Sequence, residues 1–510
     1  MAMILAACGG GGGSPRATAN AGTPDLNGVL RFGVDLNNGF SDDFDPGTGL
    51  NDCSFQELSQ IYSSITDEPP GPEGNSEILP GVAQSWQIQG ATLTLHIRPG
   101  VTFSDGEPVD ADAVMQSIEH IRKSPLRTSL LAIDSMSVPT PDTLVIQLKQ
   151  PDPTPGDLLL AFSFIDGMVM APSSIADAST HPVGSGPFVL KSYQPGAAID
   201  LVANKHYFDK SAYKLGGVDF VQLTAGPQAI GALIAGSVDM IELMPEDYKT
   251  AKDDPNIGIA ITPSYQYMLM QLRENMPPFN NPAVRQALEY AINRSEINQV
   301  VLNGLGQPAY QPFPRSSPGY NTTVGNSYSY QPAKAKAMLT KAGFPHGVSF
   351  DLVFPAGEAE FQNAATIMQS ELAPAGFKMN ITQIPGGDLE TQVYEKGEGN
   401  AILIENSSNG PDLANNFESE YESTGFIAQA FGSVNTTMTP WIKEASASLA
   451  PGVQGPLMQK ASAYVMSQGL EVPVAFIPEI VAYNKTRVGG KVVAPIGFCK
   501  ADLQGIYIKK

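Results

Sequence analysis

Residues 78–118 read ILPGVAQSWQIQGATLTLHIRPGVTFSDGEPVDADAVMQSI, and most of the fold argument starts here. Leu93, Leu95 and Ile97 alternate with Thr94 and His96, the period-two pattern of a strand with one buried face. The segment from Leu79 to Gly106 therefore predicts strand, turn and strand, with Asp105-Gly106 supplying a tight turn. Asp110-Ala-Asp112 then opens a helix. One aspartate is placed to cap free N–H groups, and the other favours the positive end of the dipole. Val114, Ile118 and Ile121 fall at helical spacing along one core-facing stripe.

Working outward, NGVLRFGV (residues 27–34) predicts another strand, followed by a polar loop and a helix around 55–64. Further on, NNPAVRQALEYAINRSEINQVVL (280–302) predicts a helix with Asn281 as its cap and Pro282 at its first position. Val284, Leu288, Ala291 and Ile292 form its apolar stripe. Strands and helices mix without regular βαβ alternation. An α/β chain with several short sheets and packed helices, divided into two lobes, fits this pattern.

A chain of 510 residues with 42% hydrophobic content can bury a large core and suggests more than one domain. Fifty glycines and 42 prolines make it loop-rich without making it low-complexity. The net charge of −21 repels phosphate backbones and anionic headgroups, which argues against nucleic-acid binding. Charged residues are only 16%, a composition closer to exported proteins than to cytosolic enzymes. The three cysteines have no C-x-x-C spacing and the five histidines are scattered, so neither zinc-site nor thiol-redox motifs occur. No phosphate-binding loop, H-E-x-x-H or G-x-S-x-G element is present. The sequence offers no recognisable catalytic apparatus, so no enzyme activity, cofactor or bound metal is expected.

The stretch at 78–118 resembles the signature region of peptide/nickel-type (oligopeptide and dipeptide) ABC-transporter substrate-binding proteins. Leu79, Pro80, Ala83, Ser85 and Trp86 match its first part, and Arg98, Gly100, Val101, Phe103, Asp105, Gly106 and Pro108 its second. Five more blocks follow in the family's order: PVGSGPFVL (182–190), LVANKHYFD (201–209), ALIAGSVDM (232–240), VRQALEYAINRSEI (284–297) and QPAKAKAMLTKAGFPHG (331–347). The glycines of the first of these read as turn geometry, since no basic residue accompanies them. The resemblance implies a bilobal periplasmic-binding-protein-like fold with an extra inserted subdomain. It places residues 27–60, 181–263 and 485–510 in lobe I, 61–180 in the insertion and 264–484 in lobe II. It also implies a monomeric receptor that closes over an oligopeptide or similar polar solute and serves ABC permease and ATPase subunits.

Leu5-Ala6-Ala7-Cys8 matches a bacterial lipobox, and the tract Gly9–Gly13 that follows reads as a flexible tether within residues 1–26. Only seven residues precede Cys8, fewer than a signal peptide needs. The expectation is a lipoprotein held at the extracytoplasmic face of the cell membrane through Cys8. The implied lobes bring Cys53 and Cys499 together, so a disulfide between them stands against two buried thiols.

For the ligand, the family's W-x-x-D anchor maps onto ILIENSSNGPDLANNFESEY (402–421). One register puts Asn406 at the tryptophan and Asn409 at the amine-binding aspartate. A three-residue shift makes Asp412 the anchor. An amide cannot supply the charge-assisted bond of a carboxylate, so the register bears on whether a free amine is bound. Tyr265 and Tyr267 are placed to stack on a ligand, or else to pack between lobes. Arg315 is placed to clamp a carboxylate, or else to stand as a solvated loop charge. The altered anchor leaves a second reading open, a lipoprotein using the same scaffold as a sensor or envelope-assembly factor.

Overall fold

The opening stretch folds as its periodicity predicts. In the computed structural model of the chain, Ala83–Gln89 and Thr92–Ile97 pair antiparallel, with Trp86 opposite Leu95 and Ile88 opposite Leu93. Leu93, Leu95 and Ile97 are buried, and the residues between them are half-buried. The Asp105 side chain accepts the Glu107 N–H at 3.0 Å, and Gly106 takes φ 95°, a conformation that favours glycine. Asp110 Oδ1 accepts the Ala113 N–H at 2.9 Å and starts the helix Ala111–Ile121. Ile133–Thr140 and Thr143–Leu148 complete a four-stranded antiparallel sheet. The structure describes residues 22–34, 43–48, 54–67, 78–124, 127–149, 155–263, 265–325, 327–385, 388–407, 413–447, 451–494 and 502–510.

Two larger sheets form the bodies of the lobes. The first has seven strands in the order Ile257–Thr262, Glu479–Asn484, Met240–Glu242, Val29–Val34, Gly217–Gln222, Ala198–Ala203 and Phe188–Gln194. Val29–Val34 runs parallel to both of its neighbours, and the other pairings are antiparallel. The second has six strands, ordered Gln307–Pro308, Glu471–Phe476, Gln266–Leu272, Ala401–Ser407, Val348–Pro355 and Phe377–Ile384. Gln266–Leu272 is buried at every residue, as a central strand covered on both faces must be.

The sequence blocks prove to be packing devices. Asp239 of ALIAGSVDM is fully buried and holds two arginines: Arg31 Nη2 donates to Oδ1 at 2.7 Å and Arg487 Nε to the same oxygen at 2.6 Å. Arg285 of VRQALEYAINRSEI donates to the Phe279 and Gly469 carbonyls, and Arg294 to the Pro473 carbonyl and the Glu289 carboxylate. Asn204 Nδ2 donates to the Gly186 carbonyl at 2.8 Å, tying two blocks together.

Four local expectations change. The glycines of PVGSGPFVL serve close approach instead of turn conformation. A Cβ on Gly184 would meet the Ile61 carbonyl oxygen at 2.1 Å and one on Gly186 its carbon at 2.5 Å, and neither glycine has positive φ. The helix after Asn281 stops at Glu289, and a second, Arg294–Val300, begins where the Asn293 side chain accepts the Glu296 N–H. The helix expected at 55–64 spans Phe55–Ile61. Glu479–Asn484 lies in the seven-stranded sheet, so the chain re-enters the first lobe one strand earlier than 485. Among the described residues no helix is long and apolar enough to cross a membrane.

Candidate ligand-binding site between the lobes

The chain passes from the first sheet to the second between Thr262 and Gln266, and returns between Phe476 and Glu479. The two passages are neighbours: Ile477 N–H donates to the Gln266 carbonyl at 3.0 Å. Asn303 Nδ2 on the second-lobe side also donates to the Pro245 carbonyl of the first, at 2.7 Å. Side chains at the strand ends beside these passages therefore stand where the lobes face each other.

Those side chains are acidic. Glu242 ends one strand of the first sheet and Glu479 begins its neighbour. Glu242 pairs with Val481 across the ladder, so Glu479 lies diagonally from it on the same face. Glu57, on the helix Phe55–Ile61, joins them through the charge of Glu242, whose Oε1 accepts from Gln56 Nε2 at 3.2 Å. The second lobe contributes Glu405, opposite Met268 in the six-stranded sheet, and Glu360 in the first turn of Ala359–Ala375. Glu479 feels Glu242 of its own lobe together with Glu405 and Glu360 of the other.

Burial raises the carboxyls of Glu57, Glu360, Glu405 and Glu479, and like charges raise them further. Glu57 and Glu360 are pushed up to about 8, Glu405 to about 7, and Glu479 well above its ordinary value. Glu57 is 3% exposed and its Oε2 has no hydrogen-bond partner; Glu360 Oε1 has none either. Among the described residues none of the four makes an ion pair. Each therefore keeps its proton to a higher pH than an ordinary carboxyl.

A second acidic set lies inside the second lobe and is satisfied. Glu471 accepts from the Tyr267 and Tyr421 hydroxyls, each at 3.3 Å, and Glu420 accepts from Asn406 Nδ2. The two buried carboxyls hydrogen-bond each other, so one retains its proton; burial pushes Glu471 up to about 8.

Of the residues singled out from sequence, Tyr267 is buried beside Phe476, with ring centroids 5.6 Å apart. Tyr265 is buried and hydrogen-bonds Ser316, which brings it to the loop carrying Arg315. Arg315 is exposed, with its guanidinium 5.5 Å from the Tyr320 ring centroid. Asn406 belongs to the Glu420 set, its Nδ2 donating to the Glu420 carboxyl. Asn409, Asp412, Cys8, Cys53 and Cys499 lie outside the described residues. The sequence reading missed the interlobe glutamates, since each stands in a separate block and no spacing joins them. The described residues contain no cluster of three or more His, Cys, Asp or Glu arranged to hold a metal ion.

Two α/β bodies joined by a pair of adjacent passages, with polar side chains between them, define a two-lobed solute-binding protein. Residues 77–427 match the family model described as bacterial extracellular solute-binding proteins, family 5 Middle, and the chain belongs to that family. It shares 27% identity over 410 residues with di/tripeptide-binding protein 1 of Pseudomonas aeruginosa, covering 73% of this chain and 75% of that one. Heme-binding protein A of Haemophilus influenzae is 26% identical over 501 residues, covering 89% and 88%. The crystal structure of the ABC transporter substrate-binding protein CtaP from Listeria monocytogenes superposes with a TM-score of 0.81 at 19% identity, over 95% of this chain and 100% of that one. The resemblance drawn from the sequence blocks, the bilobal α/β fold and the expectation of a substrate-binding protein of an ABC importer instead of an enzyme agree with these findings.

Proposed function

We propose that this protein is an extracytoplasmic receptor that captures a small polar solute, an oligopeptide in the first instance, by closing its lobes. It then presents the solute to the permease and ATPase subunits of its importer. The observation that carries this reading is the unpartnered Oε2 of the buried Glu57, near Glu242 at the end of its strand. The likeness to a di/tripeptide-binding protein supports a peptide. In this reading lobe I comprises residues 27–60, 181–263 and 479–510, lobe II residues 264–478, and 61–180 form the insertion. Arg315 clamps a solute carboxylate, Tyr265 braces the Arg315 loop, and Asn409 or Asp412 meets the amine. The protein acts as a monomer tethered through lipid on Cys8, with Cys53 and Cys499 bridged.

Mass spectrometry of the small molecules released on denaturing the untagged protein tests the capture. A ladder of short peptides is the expected result. A preparation that releases nothing and shows no thermal shift with peptide or metabolite sets would overturn it. Loss of palmitate labelling in Cys8→Ser tests the tether, and a free-thiol count before and after reduction tests the bridge.

A further inference from the structure

Several buried carboxylates of the fold have a partner. Asp239 has Arg31 and Arg487, Glu289 has Arg294, Glu274 faces Arg285 at 3.4 Å, and Glu471 has two tyrosine hydroxyls. Glu57, Glu360, Glu405 and Glu479 are left without a cation, and all four are gathered where the lobes meet. Glu57 is the telling member: it is shut from solvent and within reach of the Glu242 charge, yet its Oε2 bonds to nothing. A buried unpaired carboxylate is costly, and a cluster of like charges is costlier. An arrangement of this kind is relieved by positive charge brought in from outside.

We propose that the solute is a small organic polycation, carrying at least two amino or guanidino groups that pair with Glu57 and Glu479 of the first lobe and Glu360 and Glu405 of the second. This rests on the receptor reading above and assigns its substrate class. Two charges are required because the carboxyls come from both lobes, and they are spread over separate strands and helices. Closure on a neutral or anionic solute would remove water from four carboxyls and give them no counter-charge. Closure on a cation converts the same groups into charge-assisted hydrogen bonds. The cation is organic, since the carboxyls are spread along separate elements and form no metal-ligating cluster among the described residues. The net charge of −21 also steers cations toward the protein.

Protons accompany this binding. The groups facing the space are Glu57 on its helix, Glu242 and Glu479 on the first sheet, and Glu246 beside them. Glu358 and Glu360 at one helix start and Glu405 on the second sheet complete the set. A cation draws their raised pKa values down, so protons leave on binding and affinity rises with pH.

Calorimetric titration of the full chain with trilysine, trialanine, triglutamate and spermidine tests the assignment. At pH 8 trilysine is expected to bind at least about tenfold tighter than trialanine, with triglutamate weakest. Between pH 6 and 8.5 the trilysine affinity is expected to rise about tenfold and to release protons. Trialanine carries the same α-amine and controls for it. Glu57→Gln with Glu479→Gln is expected to remove the trilysine preference, bringing the trilysine and trialanine affinities together; should that variant fail to fold, the wild-type probe and pH series still decide. Spermidine binding without trilysine would keep the polycation and overturn the peptide half of the receptor reading. Equal or tighter binding of trialanine or triglutamate, or no binding of either cation, would overturn the polycation, and peptide binding alone would then leave the receptor reading standing.

Discussion

Asp239 and Glu57 are both shut away in the first lobe, at 0% and 3% exposure, yet their carboxyl groups are pushed in opposite directions. Asp239 sits below its ordinary value because two arginines and the Arg31 N–H hold its charge against the cost of burial. Glu57 sits at about 8, because burial and Glu242 act on it with no cation in reply. The same burial therefore serves two ends. One carboxylate closes the fold by fastening three remote parts of the chain, and the other keeps an oxygen without a partner.

The comparison can be broken first at Asp239. Asp239→Ala strands Arg31 and Arg487 beside a buried gap, and urea unfolding is expected to show a loss of about 3 kcal/mol. A loss below about 1 kcal/mol would mean that the arginines are content in water. Glu57→Gln should act the other way. A carboxyl whose pKa is raised by folding binds more protons in the folded chain than in the unfolded one between about pH 4.5 and 8. Its stabilising contribution is thus whole at low pH and is lost as pH climbs through the folded value. Removing that ionisation is expected to raise stability by about 2–3 kcal/mol more at pH 9 than at pH 6, and least near pH 4, because the loss runs from about pH 4.5 to 8. Unfolding of wild type and variant at the two pH values measures the difference, and equal effects at both would refute the assignment.

A smaller effect separates the satisfied acidic pair of the second lobe from the cleft. Tyr267→Phe removes one hydroxyl from Glu471 and should cost about 1 kcal/mol, with solute affinity unchanged, because that ring supports the strand beneath the site. A drop in affinity without a drop in stability would instead put Tyr267 against the solute. The smallest effect is expected at Arg487→Ala, about 0.5–1 kcal/mol, because this arginine is the more exposed of the Asp239 pair and Arg31 remains. Chevron or equilibrium unfolding of Arg487→Ala beside Arg31→Ala would rank the two arms.

Local chemistry was legible in the sequence wherever it acts over a few residues. The period-two leucines before Ile97, the Asp110 and Asn281 caps and the Asp105-Gly106 turn depend on neighbours within four positions, so they survive any tertiary arrangement. The ordered blocks made the family recognisable because close packing fixes them. Gly186 must clear the end of the first helix, and Arg294 must reach a carbonyl on another strand. Only the tertiary structure decided why those blocks contain charges, and which acids lack a partner. Asp239 and Arg487 are 248 residues apart, and Glu57 and Glu479 are on opposite sides of the second lobe's whole insertion into the chain. Charge pairing is a matter of distance in space and of dielectric, and neither is written in local order. A glutamate that meets its counter-ion and one that waits for it are the same letter in the sequence, and they become different groups only when the chain closes around them.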